Sequence, residues 1–189
     1  MDISDSGNVD RYGDDFVRHC LPILKSFKYN KLIRKEIDVI HEKVFNKLGV
    51  VNKFQLKDKF EGEAYLRNVT YQFASLININ RIINFTPNPL KLGIEEVVKS
   101  SVEFNGVKLK ILNFIFGQDL LFKYDSTKEY DGFVIILHRD ETSSYLCGFI
   151  YSDELISLSE NLPYCHTSSR KGFKKFNEFK KLKPLESIL

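Results

Sequence analysis

The chain has 189 residues, enough for one domain with a sizeable core. Its 43% hydrophobic and 28% charged content excludes a disordered chain, and no run approaches the roughly 20 apolar residues of a membrane span. The net charge of +3 is uneven: from His166 onward seven Lys or Arg face two Glu, a local +5 that leaves −2 for the rest.

The opening MDISDSGNVD is too acidic and polar for a signal peptide, so residues 1–10 read as a disordered arm on a cytoplasmic protein with no membrane partner. From Arg11 to Phe27, Phe16, Cys20, Leu21, Ile23 and Leu24 recur at helical spacing, and Pro22 divides or kinks the segment. A second helix is expected after an Asn30 N-cap, with a stripe of Ile33, Ile37, Ile40 and Val44 and a stop at Gly49. A third is expected from about Lys57 to Ile79, with Phe60, Ala64, Phe73, Leu76 and Ile77 facing the core. ININRIINF reads as the end of that helix or as a strand. TPNPLKLG reads as a loop, and IEEVVK as a short helix or turn.

Sheet signals follow. Asn105-Gly106 between VEF and VKLKILNF predicts a type I′ hairpin, because both central residues of that turn need positive φ. Gly117-Gln118-Asp119 breaks the second strand, and LLFKY is a further short one. Asp131 opens GFVIILH, which a turn at Arg139 to Ser143 returns as SYLCGFIY, and Ser152 can cap a helix DELISL. In the tail, Phe173, Phe176 and Phe179 stand three apart with Lys pairs between them, the pattern of a terminal helix with a buried stripe. The expected organisation is a single α+β domain over 11–165, helical over 11–80 and sheet over 100–158. A basic C-terminal helix or tail over 166–189 completes it.

The residue motifs exclude several chemistries. There is no Walker A loop, no G-x-G-x-x-G, no G-x-S-x-G and no H-E-x-x-H. Cys20, Cys147 and Cys165 are too few and too scattered for a disulfide framework. The pairs His19-Cys20 and Cys165-His166 lack zinc spacing, and Cys147 reads as a small buried hydrophobe. Asp119, Asp125 and Asp131 read as turn chemistry, and His138 as a strand-end residue.

The order helix, NGVKLKIL hairpin, YDGFVIIL strand and CGFIYSDEL strand-to-helix resembles the PD-(D/E)XK, restriction-endonuclease-like superfamily over roughly residues 60–158. The resemblance implies N-terminal helices followed by a mixed sheet of restriction-endonuclease-like plan. Members hydrolyse phosphodiesters with Mg²⁺ held by carboxylates and a lysine that positions water. Laid over the acid-x-Lys strand, Lys110 falls on the second acid and Leu112 on the lysine, which implies a degenerate member without a bound cofactor. The leading expectation is a nucleic-acid-associated accessory protein on an inactive nuclease-like scaffold. Its phosphate contacts would come from Arg170, Lys171, Lys174, Lys175, Lys180, Lys181 and Lys183. One alternative is a protein-interaction subunit, as a homo-oligomer or in a larger complex such as a phage or host defence factor. Another is an active Mg²⁺-dependent nuclease using Glu63 and Glu103 with Lys108 or Lys110.

Overall fold

The structure is a computed structural model and describes residues 12–84, 88–99, 101–162 and 172–189. The expected arm over 1–10 lies outside the described residues, as do Cys165, Arg170 and Lys171. The fold is α+β, built on a five-stranded mixed sheet with helices as its main cover.

The first element is a π-helical turn, Phe16–Cys20, that tightens into a 3₁₀ helix, Leu21–Ser26, where Pro22 enters its first turn. Strand β1 (Lys28–Lys31) follows, so Asn30 lies in a strand and does not cap a helix. Helix α1 (Arg34–Leu48) starts instead at Ile33, whose backbone N–H donates to Glu36 Oε2 at 2.8 Å. It ends at Gly49 with φ 64°, the left-handed conformation that glycine adopts without penalty. Ile40 and Val44 are buried as the stripe requires, Ile37 packs at the margin, and Ile33 is 57% exposed.

A short α2 (Lys53–Leu56) is capped by Asn52, whose side chain accepts from Phe54 and Gln55 N–H. Helix α3 (Gly62–Ile83) is the central helix and runs through ININRII to a left-handed Asn84. Leu66, Val69, Phe73, Leu76 and Ile77 bury one long face, whereas Phe60 falls before the helix and is 95% exposed. Helix α4 (Ile94–Val98) leads into the sheet.

Strands β2 (Ser101–Phe104) and β3 (Val107–Ile115) form the hairpin, and the turn carries φ 49° at Asn105 and 78° at Gly106. Strand β4 (Leu120–Lys123) leaves the main sheet. A 3₁₀ segment, Tyr124–Glu129, brings the chain back to β5 (Gly132–His138), which runs parallel to β3. Strand β6 (Ser143–Tyr151) pairs antiparallel with β5 and with β1, giving the order β1-β6-β5-β3-β2. Helix α5 (Ser152–Leu158) follows. Ser152 is its first residue, and its hydroxyl donates to Tyr130 O at 2.5 Å, so it ties the helix to the residue that follows the 3₁₀ segment instead of capping it.

The tail is not a helix. Strand β7 (Glu160–Asn161) and strand β8 (Phe173–Phe176) join β4 in a small antiparallel sheet, β4-β8-β7. Two 3₁₀ turns, Phe179–Lys181 and Leu185–Ile188, end the chain. Phe176 and Phe179 are buried, with their rings 5.5 Å apart and edge-to-face. Pairing with β4 satisfies the backbone that an isolated helix this short would leave frayed.

The sheet separates two apolar cores. Leu109, Ile111, Val134 and Ile136 face α1 and α3. Phe114, Phe133, Ile135 and Leu137 face α5, the N-terminal turn and the tail. Period-two alternation along β3 therefore places Leu109, Ile111 and Asn113 on the helix side and Lys108, Lys110, Leu112 and Phe114 on the other. Among the described residues, no helix is long and apolar enough to cross a membrane.

Candidate functional site

The sheet register decides which of the sequence-expected catalytic residues can meet. Glu103 pairs with Lys108 and Ser101 with Lys110, so these side chains share the face away from α3. Glu63 is exposed in the first turn of α3, on the other side of the sheet. The structure thus gathers Glu103, Lys108 and Lys110 and leaves Glu63 apart. Among the described residues, no group of three or more His, Cys, Asp or Glu could hold a metal ion.

Lys108 and Lys110 converge on one ring. Their ammonium groups stand 5.0 and 5.4 Å from the centroid of Tyr130, within cation–π range. Tyr130 is held by local geometry. Its carbonyl accepts from Ser152, and the next residue clamps β3: Asp131 N–H donates to Lys108 O, and Asp131 Oδ2 accepts from Lys108 N–H at 2.7 Å. This clamp fixes the approach of β5 to the hairpin and so places both lysines over the tyrosine.

The same pairing recurs at three other rings. Lys128 and Lys174 lie 5.5 and 5.6 Å from the Tyr124 centroid, Lys183 is 4.8 Å from Tyr151, and Lys123 is 5.8 Å from Phe173. Tyr124 opens the 3₁₀ segment and Tyr130 follows its last residue. Tyr130 and Tyr151 flank an open cavity of about 560 Å³, which Gly106, Val107, Asp131, Ser152 and Asp153 complete. The result is a band of aromatic rings, each topped by one or two cations and split between the two faces of the sheet: Tyr130 lies with Lys108 and Lys110 on the face away from α3, and Tyr151 lies with Phe149 on the face toward it.

Gly148 is what brings Lys183 into the band. Its φ is 134°, and a Cβ there would stand 2.6 Å from Lys183 O. The missing side chain lets the tail lie against β6, where Phe149 and Lys183 exchange two backbone hydrogen bonds of 2.9 Å. The β5–β6 register also shifts here, a bulge that accommodates the added segment.

The tail lysines fall into two groups. Lys175 is half-buried and ion-paired with Asp15, and its pKa is raised chiefly by that hydrogen bond. Lys183 binds both Glu154 oxygens at 2.9 Å. Lys180 and Lys181 are exposed on their 3₁₀ turn, and Lys174 is half-buried against Tyr124. Only part of the +5 tail is therefore turned outward. Lys108, Lys110, Lys123 and Lys128, which come from other segments, supply the rest of the band's charge.

A second constellation was not anticipated from sequence. His138 is 1% exposed, stacks on Tyr71 with ring centroids 4.4 Å apart, and lies 3.2 Å from Ser75 Oγ and 3.0 Å from Asn113 Oδ1 through Nε2. In this amide orientation Asn113 Oδ1 is the acceptor and the imidazole proton sits on Nε2. The Ser75 hydroxyl lies 2.7 Å from the same oxygen. Burial pushes the His138 pKa down to about 3, so the ring is neutral at physiological pH. Asn78 extends the network by donating to Ser144 Oγ at 3.2 Å. A serine, a histidine and an amide are juxtaposed, but all of them lie inside the core that joins α3 to β3, β5 and β6. Their role is to pin the helix to the sheet in one register. The sequence signal was polar residues inside apolar runs: Asn113 in ILNFIF and Ser75 with Asn78 in FASLININ.

Cys20 and Cys147 are not primed for chemistry. Burial pushes the Cys20 thiol up to about 12 and also raises that of Cys147, which is partly exposed between β5 and the tail. His19 sits 3.9 Å from Asp15. Asp119 accepts from Phe16 N–H at 3.0 Å, Asp125 lies 3.8 Å from Lys128, and Asp131 clamps β3; all three act in turns and strand ends.

A scan against protein-family models matches no family. Searches of curated proteins and of solved structures likewise return no match.

Proposed function

We propose that this protein binds nucleic acid through its lysine-topped aromatic band and acts as a binding or accessory protein, not as a nuclease. The observation that carries the reading is the repeated placement of lysine on tyrosine: Lys108 and Lys110 on Tyr130, Lys128 and Lys174 on Tyr124, and Lys183 on Tyr151. Aromatic faces and cations together are what a phosphate-linked chain of bases needs. The energetics favour exchange. A surface cation–π pair contributes about 0.5–1 kcal/mol, whereas a base stacked on an aromatic side chain contributes about 1–3 kcal/mol. A base therefore displaces the ammonium from the ring, and the ammonium moves to a phosphate.

The restriction-endonuclease-like scaffold stays within this proposal as the origin of the hairpin. What supports it is the chain order α3, β2–β3 hairpin, β5, β6 and α5, with α4 and β4 inserted. Catalysis is left out because Glu103 and Glu63 lie on opposite sides of the sheet and Lys110 pairs with Ser101 instead of a carboxylate. The proposed compartment is the cytoplasm, where Cys20 and Cys147 stay as free thiols.

A labelled single strand of about 12 nucleotides, within the roughly 4–16 that one such site spans, tests the reading by fluorescence anisotropy. Saturable binding at low salt that weakens as salt rises is expected. No change in anisotropy at low salt refutes it.

A second reading, protein association, is favoured by Val51, Phe54 and Phe60, which are 81%, 81% and 95% exposed on the segment joining α1 to α3. Light scattering at working concentration tests it. A mass above 22.0 kDa that returns to the monomer value in Phe54→Asp supports the reading, and a monomer at all concentrations removes self-association.

A further inference from the structure

The cavity between Tyr130 and Tyr151 differs from the rest of the band because two carboxylates line it. Asp131 Oδ2 is engaged by Lys108 N–H, while Oδ1 has no partner among the described residues. Asp153 is exposed on the first turn of α5. An anionic pair would repel phosphate, so this part of the band is suited to a base and not to the backbone. Carboxylates only accept hydrogen bonds. The bases they favour present an amino group: cytosine N4, adenine N6 and guanine N2. Thymine and uracil instead turn two carbonyl acceptors toward them around a single N–H, and those oxygens are repelled. The cations nearest the cavity sit on its two rings: Lys108 and Lys110 on Tyr130, and Lys183, which Glu154 also holds, on Tyr151.

We infer that the cavity between Tyr130 and Tyr151 holds one unstacked, amino-bearing base of a single strand, with Asp131 and Asp153 accepting from its amino edge. This rests on the nucleic-acid reading above and adds strand form and base preference to it. A duplex keeps the base in its stack and one amino hydrogen in its base pair, so a single strand is the form the cavity can take.

The test compares oligo(dC), oligo(dA) and oligo(dT) of about 12 nucleotides with a duplex of the same length, at one low salt concentration. The expected result is about tenfold tighter binding of oligo(dC) or oligo(dA) than of oligo(dT), the scale of one good polar base contact, with duplex weaker than all three. Asp153→Ala is the variant of choice, because Asp131 also holds the β3 backbone. In Asp153→Ala the preference should shrink toward unity while oligo(dT) binds at least as tightly, which also shows that the fold and the band are intact. Equal, salt-sensitive binding of the three strands by the wild-type protein overturns the base preference and leaves the nucleic-acid reading standing. An undiminished preference in Asp153→Ala overturns the assignment of that preference to this cavity and likewise leaves the nucleic-acid reading standing. Tighter binding of duplex overturns the single-strand assignment. No binding of any of them overturns both readings.

Discussion

Acidification should unfold this protein through His138 before most carboxylates titrate. The imidazole is 1% exposed, and burial holds its folded-state pKa near 3, against about 6.5 in the unfolded chain. A depressed folded pKa means that the unfolded state takes up the proton first. The stability contribution is complete above about pH 6.5 and is lost as the pH falls through the window toward 3. Each pH unit in that window costs about 1.4 kcal/mol, so the drop from pH 6.5 to 5 is about 2 kcal/mol. That is a large share of the 5–15 kcal/mol a domain typically has. Urea unfolding at half-unit steps from pH 7.5 to about 5 reads this directly. His138→Gln keeps a polar group beside Ser75 and Asn113 but cannot titrate, so most of the slope should vanish. A small remainder is expected from His41, whose pKa is lowered chiefly by partial burial. An unchanged slope in His138→Gln, or an imidazole NMR titration of folded His138 near 6.5, refutes the reasoning.

Other predictions follow from packing. Phe73→Ala removes a fully buried ring between α3 and the sheet and should cost about 3–5 kcal/mol, seen as a lower urea midpoint. Phe60→Ala should change stability by less than about 0.5 kcal/mol, because the ring is 95% exposed. Gly148→Ala sets a Cβ against Lys183 O and a side chain at φ 134°; a loss of about 1–3 kcal/mol is expected, with faster proteolysis of the tail than in the wild type.

How much of this was legible in the sequence depended on whether the signal was local. Asn105-Gly106 announced its hairpin because a type I′ turn requires positive φ at both positions, and Gly49 marked the end of α1 for a similar reason. Pro22 divided the first helical segment where its missing N–H forbids continuation. The α+β class followed from those elements. Three of the failures involved partners distant in sequence. Asn30 has the chemistry of a cap, but β6 recruits its segment as an edge strand. The phenylalanines of the tail suit a helix until β4 offers a ladder. Ser152 suits a cap until Tyr130 O stands closer. The band was half-legible: Lys174 and Lys183 were named as phosphate contacts and Lys108 and Lys110 as catalytic candidates. Only the fold reveals that Tyr124, Tyr130 and Tyr151 lie beneath them. Lys175 and Lys183 also acquire carboxylate partners that the sequence does not announce.

The central claim is that lysines on this band meet phosphates. Its most direct test is the slope of log affinity for a single strand against log salt, measured for the wild type and for Lys108→Ala combined with Lys110→Ala. Each phosphate contact on a single strand contributes about 0.7 to that slope, so losing two should flatten it by about 1.4. An identical slope in the two proteins would contradict the claim.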